Sequence, residues 1–270
     1  MKIGLIGCGK MGSALIQGVL AAKVCQFADI LVYDRVLESA KTLGKESGVL
    51  VAAGNREVAK KTEIILLCVK PNDALAVLAE ARVELEGKLL ISIAAGVTIA
   101  SLQKAAGQGC RIVRVMPNTP VLVRKGASAY ALGEGVSQEN VSAMEQIFTS
   151  VGLAFSVEES FLDAVTGLSG SGPAYAYLFI EALAEGGVQM GLSQELAMEL
   201  AVQTVAGAAE MVSQTKQHPV ELRQMVTSPG GTTVAGLAAL ERGRMTDSLK
   251  DAVRAATLRS RELGSRHNQE

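Results

Sequence analysis

A glycine-rich segment near the start of the sequence has the residue types and spacing of a phosphate-binding turn. Gly7, Gly9 and Gly12 follow the pattern G-x-G-x-x-G, with Lys10 and Met11 between the last two glycines. The first glycine allows a tight turn, the second lets the backbone approach a pyrophosphate, and the third lets a helix pack closely on a strand. An apolar run precedes the segment and a helical pattern follows it. The sequence therefore predicts a dinucleotide site here.

Two charged residues end the second predicted strand, where dinucleotide-binding folds contact the adenosine ribose. Asp34 suits a ribose 2′-hydroxyl and so favours NAD(H), whereas Arg35 suits the 2′-phosphate of NADP(H). The carboxylate repels the phosphate that the guanidinium attracts. The pair therefore leaves both cofactors open.

Further cofactor contacts are expected where other parallel strands end, because open α/β sheets bind ligands outside the carboxyl ends of their strands. The expected residues at these ends are Val69, Lys70, Pro71, Ala94, Ala95, Gly96 and Asn118. Lys70 fits either a catalytic acid or a loop lysine whose backbone lines the cofactor. Its position before Pro71 favours the backbone role.

Two segments rich in Gly and Ser each precede a helical pattern in the second half of the chain. They are SGSGP at residues 169–173 and SPGGTT at residues 228–233. Backbone N–H groups at a helix start bind an anion without a basic side chain. Ser and Thr at the same positions also cap helices. Each segment therefore fits either an anion site or a capped helix start.

The first half of the chain alternates short apolar runs with helical periodicity. Runs rich in Ile, Leu and Val without polar alternation predict buried parallel strands at residues 2–6, 30–34, 63–69, 88–94 and 111–116. Shorter runs at residues 127–132 and 153–157 extend the predicted sheet, and strands then cease. We predict an α/β fold, with a Rossmann-type dinucleotide-binding domain over residues 1–160 and an all-α dimerisation and substrate domain over residues 161–270.

Residues 161–210 contain six charged side chains, which is few for helices that stand in water. A helical region of about 110 residues has too little interior to bury them all. We therefore expect a second copy of the chain to cover this surface. An ordinary core within one chain is the alternative.

The overall composition argues against several classes of partner. Lys and Arg number 26 against 27 Asp and Glu, so no basic field attracts nucleic acid or an anionic membrane. The longest charge-free stretch of the second half, residues 164–180, is interrupted by Ser, Gly and Pro and does not fit a membrane span. The cysteines lack metal-site spacing, so we expect neither a metal nor a disulfide framework. A cytoplasmic enzyme with a small-molecule substrate is the expectation.

Along the whole chain, these motifs resemble those of the pyrroline-5-carboxylate reductase family. The matching segments, in the family's order, are IGLIGCGKMGSAL, CVKP, ISIAAGVTI, RVMPNTP, GLSGSGPAYAY and SPGGTT. The last two are the most specific, since many oxidoreductases share the glycine fingerprint. The resemblance implies hydride transfer from NADP(H) or NAD(H) to the cyclic imine of pyrroline-5-carboxylate, the last step of proline biosynthesis. It also implies a homodimer, which in some members assembles into a decamer.

The resemblance further implies a substrate site in the loop of residues 228–233. The loop residues implied to bind substrate are Ser228, Gly230, Gly231, Thr232 and Thr233, with the backbone amides holding the carboxylate. The Thr233 hydroxyl is implied to hydrogen-bond the ring nitrogen. The resemblance places Asn55 near the adenosine end of the cofactor and Arg35 near its ribose. Asp34 departs from what a strict NADPH preference would favour.

Reduction of a cyclic imine requires fewer catalytic side chains than oxidation of an alcohol. A hydroxy-acid dehydrogenase needs a positioned base such as Lys or His. Residues 126–215 contain no Lys, and no His precedes His218. A protonated imine already accepts hydride, so binding and orientation suffice. A 2- or 3-hydroxy acid dehydrogenase and a non-catalytic NADP(H)-sensing protein are the alternatives.

Overall fold

A computed structural model describes residues 1–267 and contains one eight-stranded sheet. In chain order the strands are β1 (Ile3–Ile6), β2 (Ile30–Tyr33), β3 (Leu50–Val51), β4 (Ile64–Leu67), β5 (Leu89–Ser92), β6 (Arg111–Met116), β7 (Gly126–Leu132) and β8 (Gly152–Ser156). They lie in the order β3-β2-β1-β4-β5-β6-β7-β8, and neighbours are parallel except that β7 is antiparallel to β6. The seven predicted strands are confirmed, each within two residues of its predicted ends. Strand β3 was not predicted, because its two residues are too few to carry a periodic signal.

Helices alternate with the strands of this sheet. They are α1 (Lys10–Ala21), α2 (Leu37–Ser47), α3 (Asn55–Lys61), α4 (Pro71–Glu80), α5 (Ile99–Ala106) and α6 (Gln138–Thr149). Helix α4 begins at Pro71. The fixed φ of proline suits the first helical position, where its missing N–H costs nothing.

The sheet is covered on both faces, which explains why its strands lack polar alternation. Along β4, Ile64 and Leu66 pack into one apolar cluster, and Ile65 and Leu67 pack into another. Successive side chains of a strand point to opposite faces, so the two clusters lie on either side of the sheet. The parallel arrangement brings the carboxyl ends of β1, β2, β4 and β5 to one edge.

The described chain after β8 is helical. Its helices are α7 (Leu162–Val165), α8 (Gly172–Gln189), α9 (Gln194–Thr215), α10 (Pro219–Met225), α11 (Thr232–Arg242) and α12 (Met245–His267), with a π-helical turn at Thr166–Gly170. The predicted fold class, a parallel-sheet domain followed by an all-α region, is confirmed. Two compact units are present: Met1–Ser171 together with the residues from Arg254 onward, and Gly172–Val253. The functional division at residue 160 stays a prediction, because contacts within one chain do not record what a second copy covers.

The Gly172–Val253 unit leaves much apolar surface exposed. Its buried apolar cluster consists of the alanines Ala184, Ala197 and Ala201, where α8 packs on α9. Large side chains stay exposed, among them Leu178 at 66% and Met190 at 82%. Exposed apolar surface on this scale is typical of an interaction face. Among residues 1–267, no helix is both long and apolar enough to cross a membrane.

Candidate functional site

The glycine turn follows β1 directly and leads into α1. Gly7 has a φ of +102°, which favours glycine, and a Cβ there would lie 2.6 Å from the carbonyl of Cys68. A Cβ on Gly12 would overlap the carbonyl oxygen of Gly7. A Cβ on Gly9, by contrast, would meet no atom of the described residues within 4 Å. The first and third glycines are thus needed for packing, and open space lies beside the second.

The start of α1 offers a favourable field to a phosphate. Gly9 is its N-cap, no side chain in the described part of the protein caps it, and its first turn has no acidic residue. Lys10 is exposed, and Met11 is half-buried. Burial, together with the charge of Asp34, raises the pKa of the neighbouring Cys8 thiol to about 12. The thiol therefore stays uncharged, and the turn fits the pyrophosphate of a dinucleotide.

Asp34 braces the glycine turn from the end of β2. Its Oδ2 accepts a hydrogen bond from the backbone N–H of Cys8 at 2.7 Å, and its Oδ1 accepts one from the N–H of Val36 at 2.8 Å. Each carboxylate oxygen therefore has a backbone partner within the chain. This positioning role was not foreseen from the sequence. A ribose contact by Asp34 stays a prediction.

Arg35 and Asn55 differ in the exposure and the hydrogen bonding of their side chains. The Arg35 side chain is 81% exposed, and its Nη1 lies 3.4 Å from Oδ1 of Asp73. Asn55 is buried as the first residue of α3, and its Nδ2 donates to Oε2 of Glu80 at 2.8 Å. Arg35 is thus accessible to a phosphate, whereas the amide nitrogen of Asn55 is held by α4. Both remain predicted cofactor contacts.

Three of the predicted strand-end residues line one cavity of about 250 Å³, namely Pro71, Ala95 and Gly96. Its other lining residues, which sequence reasoning did not assign, are Thr166, Ser171, Ala256, Arg259, Ser260 and Leu263. Four of these belong to α12. A helical period shows which face of a helix is apolar but not which element that face contacts. The sequence therefore held no signal for this part of the wall.

The other strand-end residues lie beside this cavity in the chain. Val69 is half-buried, and Lys70 is the N-cap of α4 with extended backbone and an exposed side chain. Ala94 is buried, and its N–H donates to the Ser92 hydroxyl at 3.3 Å. The exposed side chain of Lys70 favours the backbone role, which stays a prediction like the other contacts of these residues.

Helix α12 is held against the cavity by two close contacts. The Ser260 hydroxyl donates to Oδ1 of Asp163 at 2.6 Å. Farther along the helix, Gly264 lies so near the β5 loop that a Cβ there would be 3.1 Å from the carbonyl oxygen of Gly96. The glycine allows the helix to approach the loop closely. These contacts position the loop that is predicted to line the cofactor.

Asn118 is a tether between distant segments. Its Nδ2 donates to the carbonyl of Ser169 at 3.0 Å, and its Oδ1 accepts from the N–H of Ala127 at 2.8 Å. The residue is 8% exposed. It therefore holds Ser169, the first residue of the SGSGP segment, near β7, which is a structural role. Its predicted contact with the cofactor remains a prediction.

The loop of residues 228–233 forms a turn before α11. The Gly231 N–H donates to the carbonyl of Ser228 at 3.0 Å, and Gly230 has a φ of +68°. A Cβ on Gly231 would overlap the Ser228 hydroxyl. Both glycines are therefore required by the turn itself, one for its conformation and one for its close approach.

Helix α11 starts without a side-chain cap. Gly231 is the N-cap, no described side chain accepts from the first turn as a cap, and that turn has no acidic residue. Thr232 and Thr233 occupy the first two helical positions, with Thr233 half-buried. Helix capping, the alternative for this segment, is thus not what either threonine does here. The arrangement leaves first-turn amides and the Thr233 hydroxyl for a ligand.

Thiols and acidic groups do not gather into a further site in the described part of the chain. Cys8, Cys25, Cys68 and Cys110 are all free. Burial raises the pKa of the Cys68 thiol, and that of Cys110 rises to about 12 for the same reason. Among residues 1–267, no group of three or more His, Cys, Asp and Glu side chains could hold a metal ion.

Two family models match different parts of the chain. One, described as pyrroline-5-carboxylate reductase dimerisation, matches residues 159–263. The other, described as NADP oxidoreductase coenzyme F420-dependent, matches residues 2–96. The helical half therefore contains a segment of a dimerisation family, and the glycine turn lies in a segment of a nucleotide-dependent oxidoreductase family.

Several relatives, which share one name with each other, match over nearly the whole chain. The pyrroline-5-carboxylate reductase of Methanosarcina acetivorans is 44% identical over 266 residues, which cover 98% of both chains. That of Arabidopsis thaliana is 44% identical, covering 97% of this chain and 95% of its own. A solved pyrroline carboxylate reductase from Plasmodium falciparum, with NADP bound, has a TM-score of 0.88 at 37% identity and covers 98% of both chains. With such identity over almost every residue, this chain belongs to the pyrroline-5-carboxylate reductase family.

Proposed function

We propose that this protein reduces pyrroline-5-carboxylate to L-proline by hydride transfer from NADP(H), with NAD(H) as the alternative cofactor, in the cytoplasm. The observation that carries the proposal is the start of α11, where a ligand finds free first-turn amides and a threonine hydroxyl that caps no helix in the described chain. Membership of the family supports the substrate. The open space beside Gly9 supports a dinucleotide.

The substrate loop supplies binding and orientation. Backbone N–H groups at the start of α11 bind the substrate carboxylate, since a helix N-terminus favours negative charge. The cofactor, when bound, supplies the hydride. The imine binds in its protonated form, so when its carbon accepts the hydride the C=N π electrons become a lone pair on the ring nitrogen, and the Thr233 hydroxyl donates a hydrogen bond to that lone pair. The hydrogen bond from Thr233 therefore becomes stronger as the hydride is transferred. An interaction that is stronger in the transition state than in the bound substrate accelerates the reaction, even when the donor is a neutral hydroxyl.

The residues at the end of β2 favour NADP(H) over NAD(H). Both oxygens of Asp34 already accept backbone hydrogen bonds, from Cys8 in the glycine turn and from Val36, so they are less available to a ribose hydroxyl. Arg35 beside it is exposed, and a guanidinium binds a phosphate through a planar pair of donors. The relative from Plasmodium falciparum has NADP bound. These observations support NADP(H) as the proposed cofactor.

A spectrophotometric assay tests the proposed reaction. The absorbance of NADPH, and separately of NADH, is followed after pyrroline-5-carboxylate is added, and L-proline is measured as the product. Consumption of either nucleotide with equal formation of proline is the expected result. Tight nucleotide binding without oxidation across a panel of cyclic imines would instead identify a sensor protein. Turnover with a hydroxy acid alone would identify a dehydrogenase.

The proposal extends to a homodimer, with a decamer as the larger assembly to test. Leu178 and Phe179 of α8, with Leu240 and Leu249, line an apolar groove of about 410 Å³ in the Gly172–Val253 unit. We expect light scattering at micromolar concentration to give at least twice the mass of one chain. Leu178→Glu should shift the protein toward monomer, because a charge is costly at an apolar interface.

A matched substitution elsewhere tests whether the effect is local. Val83 is 79% exposed and lies in the sheet-containing unit, so Val83→Glu makes the same kind of change outside the proposed interface. This control should leave the mass unchanged. A wild-type monomer at micromolar concentration, or equal dissociation by the two variants, would contradict the proposed interface.

A further inference from the structure

The two charged neighbours at the end of β2 are engaged in different ways. Asp34 is held by backbone donors on both oxygens, from Cys8 at 2.7 Å and Val36 at 2.8 Å. Its position is therefore set by the glycine turn and by its own strand end. Arg35 has no such anchor among backbone groups of the described chain, and its side chain is 81% exposed. Of the two charged groups at this edge of the sheet, the Arg35 guanidinium is therefore the one that is free to move.

The partner of Arg35 is an acidic residue on another element. Asp73 lies in the first turn of α4, and its Oδ1 is 3.4 Å from Nη1 of Arg35. The Asp73 side chain is 37% exposed, and the contact is a single long hydrogen bond. Exposed ion pairs of this kind contribute little stability, so opening this one costs little. A doubly charged phosphate at the same place would compete for the guanidinium.

We infer that Asp73 is a specificity-determining residue, whose carboxylate competes with the 2′-phosphate of NADP(H) for the Arg35 guanidinium. Binding of NADP(H) then requires the ion pair to open and brings the phosphate near a second negative charge. NAD(H) lacks that phosphate and leaves the pair closed. Asp73 therefore narrows the difference in affinity between the two cofactors. This inference rests on the proposed use of a nicotinamide dinucleotide.

Calorimetric titration of the full-length protein with NADP⁺ and with NAD⁺ tests the role inferred for Asp73, and it requires no turnover. Asp73→Asn keeps the side-chain size and removes the charge. The Kd for NADP⁺ should fall by about two- to fivefold, as expected for one like charge at an exposed site. The Kd for NAD⁺ should stay the same. The gain should shrink as salt is added, because exposed charges are screened.

A second substitution controls for the change in net charge. Glu139 lies with Glu63 and Lys88 at the amino ends of the parallel strands, the edge opposite Arg35. Glu139→Gln removes one negative charge there, and it should leave both dissociation constants unchanged. Equal tightening of NADP⁺ by the two single variants would mean that only the net charge matters, which overturns the inference.

The double variant Arg35→Ala with Asp73→Asn tests whether Asp73 acts through Arg35. Compared with Arg35→Ala alone, the added Asp73→Asn change should give little or none of the gain in NADP⁺ affinity. A full gain without Arg35, or a wild-type affinity for NADP⁺ in a folded Asp73→Asn protein, would refute the inference. If the wild-type protein binds neither nucleotide, the proposed function fails instead.

Discussion

Thr233→Ala should lower kcat by about tenfold to a thousandfold, which corresponds to about 1.4 to 4 kcal/mol of lost transition-state stabilisation, with a smaller change in KM. The backbone amides proposed to bind the carboxylate remain, so substrate should still enter the loop. The substitution removes only the hydroxyl that is proposed to donate to the ring nitrogen as hydride arrives. Steady-state kinetics with pyrroline-5-carboxylate and NADPH measure both constants.

Two neighbouring substitutions separate this role from a structural one. Thr233→Ser keeps the hydroxyl and should recover much of kcat. Thr232→Ala removes the adjacent, exposed side chain while keeping its amide, and should change kcat little. If Thr233 only capped the helix, Thr233→Ala would cost about 1 kcal/mol of stability and leave turnover nearly normal.

The structure already argues against the capping account, because Gly231 is the N-cap and no described side chain caps α11. Thermal melting of the same variants completes the comparison. A folded Thr233→Ala enzyme with the kcat of the wild type would refute the mechanism proposed for this residue.

The glycine turn shows what the sequence alone could predict. Its residues are close in the chain, and their pattern is bounded by an apolar run and a helical period, so strand, turn and helix follow from local signals. The same reasoning placed seven strands correctly. Where a strand had two exposed residues, as in Leu50–Val51, no such signal existed.

The partners of individual polar residues could not be predicted in this way. Asp34 has the residue type and position of a ribose ligand, yet it bonds to the amide of Cys8, 26 residues away. Asn118 bonds to Ser169 across 51 residues, and Ser260 bonds to Asp163 across 97. Such contacts depend on how elements pack, which periodicity does not encode. The sequence was enough to identify residue types at candidate sites, but their hydrogen-bond partners became known only from the structure.

Gly9→Val should raise the Kd for NADP⁺ by about a hundredfold or more, since the added side chain fills the open space where the pyrophosphate is predicted to lie. The fold should be largely retained, because a Cβ there meets no described atom within 4 Å and the backbone angles of Gly9, φ −71° and ψ −177°, suit an extended residue. Calorimetric titration and thermal melting check the two parts of this expectation.

The same substitution at the third glycine, Gly12→Val, should instead destabilise the fold. A Cβ on Gly12 would overlap the Gly7 carbonyl oxygen and would lie 3.1 Å from Leu5 and 3.2 Å from Cys68, so Gly12→Val forces α1 away from β1. Overpacking of this kind costs about 1–3 kcal/mol or more, and the melting temperature should fall clearly. The two variants add identical atoms three residues apart, so their difference isolates position from chemistry. Unchanged NADP⁺ affinity in a folded Gly9→Val protein would remove the cofactor from this turn, whatever Gly12→Val does to stability.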